Sequence, residues 1–182
     1  MTGRPLVFLA AIWLAAGGPE LPDDEVKVTT VVSDRGVVAS FAAPSAWTTD
    51  AREVVKSGLV LTFSFDVELR RPSTIWFDST LARVRVASSV KFDSLTGTYQ
   101  LKRMRDGHVV QSQPSDQELQ VRDWMTAFDR VALEPEQPLE SNAEYYVRVR
   151  LYASPRRTVS LWSIWPFGHD DASGRADFTV IR

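Results

Sequence analysis

Four arginines stand in two alternating runs, Arg83 and Arg85 in LARVRV and Arg148 and Arg150 in YVRVRL. Guanidinium groups two residues apart on an extended chain share one face, and their planar forks of N–H donors suit carboxylates and phosphates. If the two runs neighbour each other in a sheet, the four converge. Two outcomes are open: cross-strand pairing with Asp66, Glu68 and Glu144, or an anion or polyanion site for a lipid headgroup or a cell-wall acid. Acids are available opposite, so pairing is the expected one. A second group is aromatic: Trp162, Trp165 and Phe167, beside Pro166 and Gly168, with Trp76 and Phe77 far upstream. Large aromatics mostly fill cores. If exposed, these would be docking residues for a protein or a sugar.

For catalysis the chain offers little. Its two histidines are His108 and His169. His108 follows a turn glycine and reads as solvated. His169-Asp170-Asp171 presents three ligand types, but adjacent loop residues rarely converge on one ion, so no metal site is expected. Ser88-x-x-Lys91 has the spacing of a penicillin-binding nucleophile, yet it falls inside an alternating strand rather than opening a helix. Gly-x-Ser-x-Gly, phosphate-loop and His-Glu-x-x-His motifs are absent from the sequence. Asp23-Asp24 reads as linker, and Asp66 with Glu68 as a surface ladder. There is no cysteine, which excludes a thiolate zinc site, a cysteine nucleophile and disulfide staples. The expectation is a non-catalytic protein without a cofactor.

The element that must position the arginines is Leu59 to Arg71, LVLTFSFDVELRR. Leu59, Leu61, Phe63, Phe65, Val67 and Leu69 alternate with Thr62, Ser64, Asp66, Glu68 and Arg70. A period of two gives a strand with one buried and one wet face, about 40 Å long at ~3.3 Å per residue. Thr80 to Asp93 alternates in the same way. Paired antiparallel with a register sum of 151, Val67 faces Val84 and Phe65 faces Val86, while Glu68 meets Arg83 and Asp66 meets Arg85. A slip of one residue would turn every buried side chain outward.

The remaining chain supports the same class. Residues 26–42 read as a hairpin turning at Ser33-Asp34-Arg35-Gly36. Thr49 offers an N-cap to a short helix, Asp50 to Ser57, stopped by Gly58. Thr98 to Met104 returns through Asp106-Gly107 to His108–Gln113. Ser115-Asp116-Gln117-Glu118 forms a capping box opening a helix with Val121, Trp124, Met125, Phe128, Val131 and Ala132 on one stripe, ending near Leu133. Ala143 to Ala153, Thr158 to Ile164 and Arg175 to Ile181 complete the strands, with Trp165 to Ser173 a loop. Strand follows strand with no βαβ alternation, so the fold class is all-β. The expected architecture is an antiparallel β-sandwich, immunoglobulin-like in general outline, with one short and one longer inserted helix. The alternative is a single curved sheet closed by the longer helix.

The first residues read as an address. Arg4 precedes an apolar run of eleven, Leu6 to Ala16, too short to span a bilayer comfortably. Ala15 and Gly17 suit signal peptidase, giving a signal peptide over 1–17 or an uncleaved amino-terminal anchor. An acidic, proline-bearing linker over 18–25 follows, then one domain over 26–182. Losing the leader removes Arg4 and no acid, so the net charge of −2 becomes −3. That balance argues against a sequence-independent nucleic-acid binder. The expected location is periplasmic or secreted, with membrane contact only through a retained leader.

LVLTFSFDVELRR, followed by IWFD and TLARVRV, resembles the opening motif of a family of exported bacterial proteins, the domain-of-unknown-function family 4390. EYYVRVRLY at 144–152 resembles its second motif. The likeness spans roughly residues 38–181, with Asp177-Phe178-Thr179 standing where a tryptophan-containing end is expected. The family carries no established activity. The resemblance implies export, with a sensor kinase as a lead to a signalling partner; the export signal, the sheet pattern and the lack of a catalytic constellation point to a partner in the cell envelope. The function expected is therefore a binding or interaction module of the envelope. The alternative is a carbohydrate-binding module or wall-glycan hydrolase using the aromatics near Asp170 and Asp171.

Overall fold

The computed structural model describes residues 26–156 and 172–181. The organising strand forms as its pattern requires. Residues 60–71 are β3, and Leu61, Phe63, Phe65, Val67 and Leu69 are all buried on one face. Its hairpin partner β4 covers Ser79–Asp93, and the register sum of 151 holds: Val67 opposite Val84, Phe65 opposite Val86, Glu68 opposite Arg83, Asp66 opposite Arg85. A one-residue shift enters only at Leu69/Arg70, beside the connecting loop.

Upstream, β1 (Lys27–Ser33) and β2 (Gly36–Ala42) make the expected hairpin. The helix α1 (Thr49–Lys56) starts one residue earlier than expected. Its cap is Thr48, whose hydroxyl accepts from the Ala51 N–H at 3.1 Å, and Asp50 lies in the first turn. Downstream, β5 (Thr98–Arg105) and β6 (His108–Ser115) turn through Asp106 and Gly107, both at positive φ (49° and 86°). Two successive left-handed residues are what a tight hairpin needs, and Asp-Gly supplies them at low cost.

The largest departure lies in residues 114–133. The capping box does not form: Ser115 ends β6, and its hydroxyl accepts from the Gln117 N–H at 3.1 Å. The helix α2 (Glu118–Thr126) stops early, and Ala127–Leu133 is strand β7, not helix. The physical reason is a bulge. β7 pairs with β2, and two residues, Asp129 and Arg130, stand opposite the single residue Ser40. Ser40 stitches the bulge, donating to Asp129 at 2.6 Å and accepting from the Arg130 N–H at 3.1 Å, with Arg130 at φ 55°. The extra residue puts Phe128 and Val131 three apart on one buried face, which mimics helical spacing.

Strand β8 (Glu144–Arg156) pairs with the other edge of β3, and β9 (Ser173–Thr179) pairs with β8. The result is two antiparallel sheets, β1-β2-β7 and β6-β5-β4-β3-β8-β9, packed face to face. That is the expected β-sandwich with two helices. Phe41, Phe65 and Phe128 meet between the sheets with ring centroids 5.0–5.4 Å apart. At the far edge a Cβ on Gly174 would collide with the Val26 backbone carbonyl, so only glycine lets β1 and β9 approach this closely.

Candidate functional site

The arginine runs do not neighbour each other. β3 lies between β4 and β8, so the order across the sheet is β4-β3-β8. The condition for direct convergence is therefore not met; instead β3 places its own carboxylates between the two runs. Glu68 faces Arg83 on one side and Arg148 on the other, and Asp66 faces Arg85 and Arg150. Arg83 donates to Glu68 Oε1, Arg148 to Oε2 at 2.6 Å and Arg150 to Oε1 at 3.3 Å. Arg70 approaches to 3.9 Å. Arg85 grips Asp66 through two nitrogens, at 2.7 and 3.2 Å. Glu144, the third acid expected to pair, sits exposed opposite Thr179 and is not part of the cluster.

The long guanidinium stems lie across the outer face and cover what was expected to be wet. Glu68 is 0% exposed and Asp66 is 5% exposed. Burial alone would raise the Glu68 carboxyl. The hydrogen bond and charge of Arg148, with the charges of Arg83 and Arg150, outweigh it and hold the group below its ordinary range. The Arg85 hydrogen bond, against the cost of burial, lowers Asp66 as well.

The second group divides. Trp162, Trp165 and Phe167, together with His169, Asp170, Asp171 and the expected strand at 158–164, lie outside the described residues. Trp76 and Phe77 sit at the tip of the loop joining β3 to β4, and Ile75 joins them. The three are 89% (Ile75), 81% (Trp76) and 88% (Phe77) exposed. The loop beneath them is tied down. Asp78 accepts from the buried Tyr146 hydroxyl of β8 at 2.6 Å and from the Ser73 N–H at 3.1 Å, while Arg70 donates to the Asp78 carbonyl at 2.8 Å. The Trp76 N–H donates to the Ser73 hydroxyl at 3.2 Å. Those hydrogen bonds, with Tyr146 first and Ser73 second, hold the Asp78 carboxyl below its usual value. The tip is thus a constrained presentation of three large apolar side chains, none shielding another.

Other chemistry is sparse among the described residues. Ser88 is fully buried and donates to the Met125 carbonyl at 2.7 Å, so it is a structural hydroxyl. His108 is exposed at the start of β6. Among the described residues no three histidine, aspartate or glutamate side chains gather in a way that could hold a metal ion. A cleft of about 650 Å³ opens where β4 runs past the end of β5, lined by Thr80, Arg83, Arg105 and Glu134 among others.

Two features of the site emerge only in the folded chain. One is the role of Glu68 as the shared acceptor; the signal was a single glutamate flanked by arginines on both prospective neighbours. The other is Arg103, which continues the buried parity of Tyr99 and Leu101. Its guanidinium lies 4.5 Å from the Trp124 ring and 4.6 Å from the Phe128 ring and donates to the Ala127 carbonyl at 2.8 Å.

No curated protein and no solved structure matches this chain. One family profile does match, over residues 25–158, from the end of the linker to just past β8. It takes in the organising hairpin, the tip, the arginine runs and both sheets except β9. The chain belongs to the family described as Domain of unknown function (DUF4390).

Proposed function

We propose that this protein is a non-catalytic binding module exported to the bacterial cell envelope, periplasmic or secreted, and that it takes a protein partner through the Ile75-Trp76-Phe77 tip. The observation that carries the reading is the exposure of three consecutive large apolar residues on a loop anchored to the sheet by Asp78 and Tyr146. Holding such residues in water forgoes roughly 1.5–3 kcal/mol of burial for each. An anchored loop also loses little entropy on binding, which favours affinity. Tryptophan is over-represented among residues that dominate interface energetics. A sensor kinase is the first partner to test, on the strength of the family resemblance.

The experiment is crosslinking of the tagged chain in its native cell. Trp76→Ala with Phe77→Ala removes the specific partner while thermal unfolding stays unchanged. Undiminished capture by that double variant overturns the proposal.

A further inference from the structure

The cluster around Glu68 has more cation than its pairing needs. Five guanidiniums, from Arg70, Arg83, Arg85, Arg148 and Arg150, stand against two carboxylates, Asp66 and Glu68. Three positive charges are left over, and two remain even when Asp78 at the loop base is counted. A cross-strand ladder built only for stability would match its charges, because like charges side by side on a sheet repel.

The donors are also unsaturated. A carboxylate offers about four lone-pair sites, whereas each arginine brings five N–H groups. Among the described residues, nothing accepts from Nη1 of Arg83, Arg148 or Arg150, and the buried Nε atoms of Arg70, Arg148 and Arg150 have no partner. Yet these side chains are not sealed in. Arg83 is 56% exposed, Arg148 33% and Arg150 32%. Glu68 pins one edge of each guanidinium from below and leaves another edge facing out. All three donate to the same carboxylate, so the three guanidiniums gather around Glu68.

We infer that this array is a binding site for a phosphate-bearing anion, with Arg83, Arg148 and Arg150 as its direct ligands and Glu68 as the positioning residue beneath them. Guanidinium forks match the oxygens of phosphate, and three of them gathered around one carboxylate offer more donors than a single flat carboxylate can accept. Buried N–H groups without acceptors cost about 1–3 kcal/mol each, and an arriving oxyanion with a small shift of the side chains relieves part of that cost. The site is separate from the Ile75–Phe77 tip and does not depend on it.

The phosphate could be free or part of a lipid headgroup, and two assays on the full chain tell these apart. In the first, inorganic pyrophosphate is titrated into the protein by calorimetry at low salt, where screening is weak. In the second, the protein is sedimented with vesicles of phosphatidylglycerol or of phosphatidylcholine. Saturable pyrophosphate binding without sedimentation assigns a soluble phosphate-bearing anion. Sedimentation with phosphatidylglycerol only, reversed by pyrophosphate, assigns the headgroup. In either case Arg83→Gln with Arg150→Gln weakens binding at least ~tenfold. Arg122→Gln, on the exposed side of α2 and paired with Asp123, changes nothing. Circular dichroism melting of each variant separates lost binding from lost fold, and the single Arg83→Gln variant serves if the double one unfolds. No saturation up to ~10 mM pyrophosphate and no selective sedimentation overturn the site. So does equal weakening by Arg122→Gln.

Discussion

Glu68→Gln is the most informative single change for the architecture. Glutamine keeps the size of glutamate and removes the charge. In the native protein Glu68 is wholly covered and accepts from Arg83, Arg148 and Arg150. Its loss would leave three guanidiniums facing one another around a neutral amide whose own NH₂ group is a donor. Removing one partner of a buried ion pair typically costs ~3–5 kcal/mol. The arginines here are between a third and just over half exposed and can turn toward water, so the low end, about 3 kcal/mol, is appropriate. For a domain of this size that lowers the thermal midpoint by roughly 6–12 °C. The comparison is Glu140→Gln, which breaks a two-pronged pair with Arg71 at 2.7 and 2.8 Å, but on the open surface. There the midpoint should barely move. Thermal unfolding followed by circular dichroism at pH 7 reads both. Equal shifts for the two variants would refute the reasoning that burial, rather than hydrogen-bond length, decides the contribution.

The acids of β3 and Arg103 give two more predictions. Asp66 and Glu68 have folded pKa values below their ordinary 3.8 and 4.5, so their stabilisation is complete above those values and is lost as pH falls through the depressed ones. The thermal midpoint should therefore be flat from pH 7 to about 5 and fall below about 4.5, and Glu68→Gln should flatten that acid limb; an unchanged limb in the variant would count against the assignment. Arg103→Ala should cost about 2–3 kcal/mol in urea unfolding, because it empties the space between Trp124 and Phe128 and strips the Ala127 carbonyl of its donor. Arg103→Lys should recover less than half, since an ammonium has no plane to stack; full recovery would show that charge alone matters.

Much of this fold is legible in the chain because the signals are redundant. In β3 and β4 the apolar alternation and the charge alternation give the same register independently. Asp106-Gly107 fixes its hairpin by backbone conformation alone. Where signals are single, they mislead. Val121, Trp124, Met125, Phe128 and Val131 fit one helical stripe, and nothing local reveals that a bulge at Asp129-Arg130, stitched by Ser40 from 89 residues upstream, produces the last step of that spacing. Strand order is invisible for a related reason. Alternation tells which side chains share a face but not which strand lies beside which, so the arginines could be grouped while Glu68 could not be recognised as the residue between them. Arg103 was hidden by its type: a charge at a buried parity position reads as an end of strand until the rings that receive it are known.

The proposed binding surface is the tip that joins β3 to β4. The most direct measurement replaces Trp76 with a photo-crosslinking amino acid in the living cell. Leu95, 96% exposed in a different turn, is the matched control. A discrete adduct from position 76, absent from position 95 and lost when Phe77 is changed to Ala, is the predicted result. Identical adduct patterns from the two positions, or none from position 76, would contradict it.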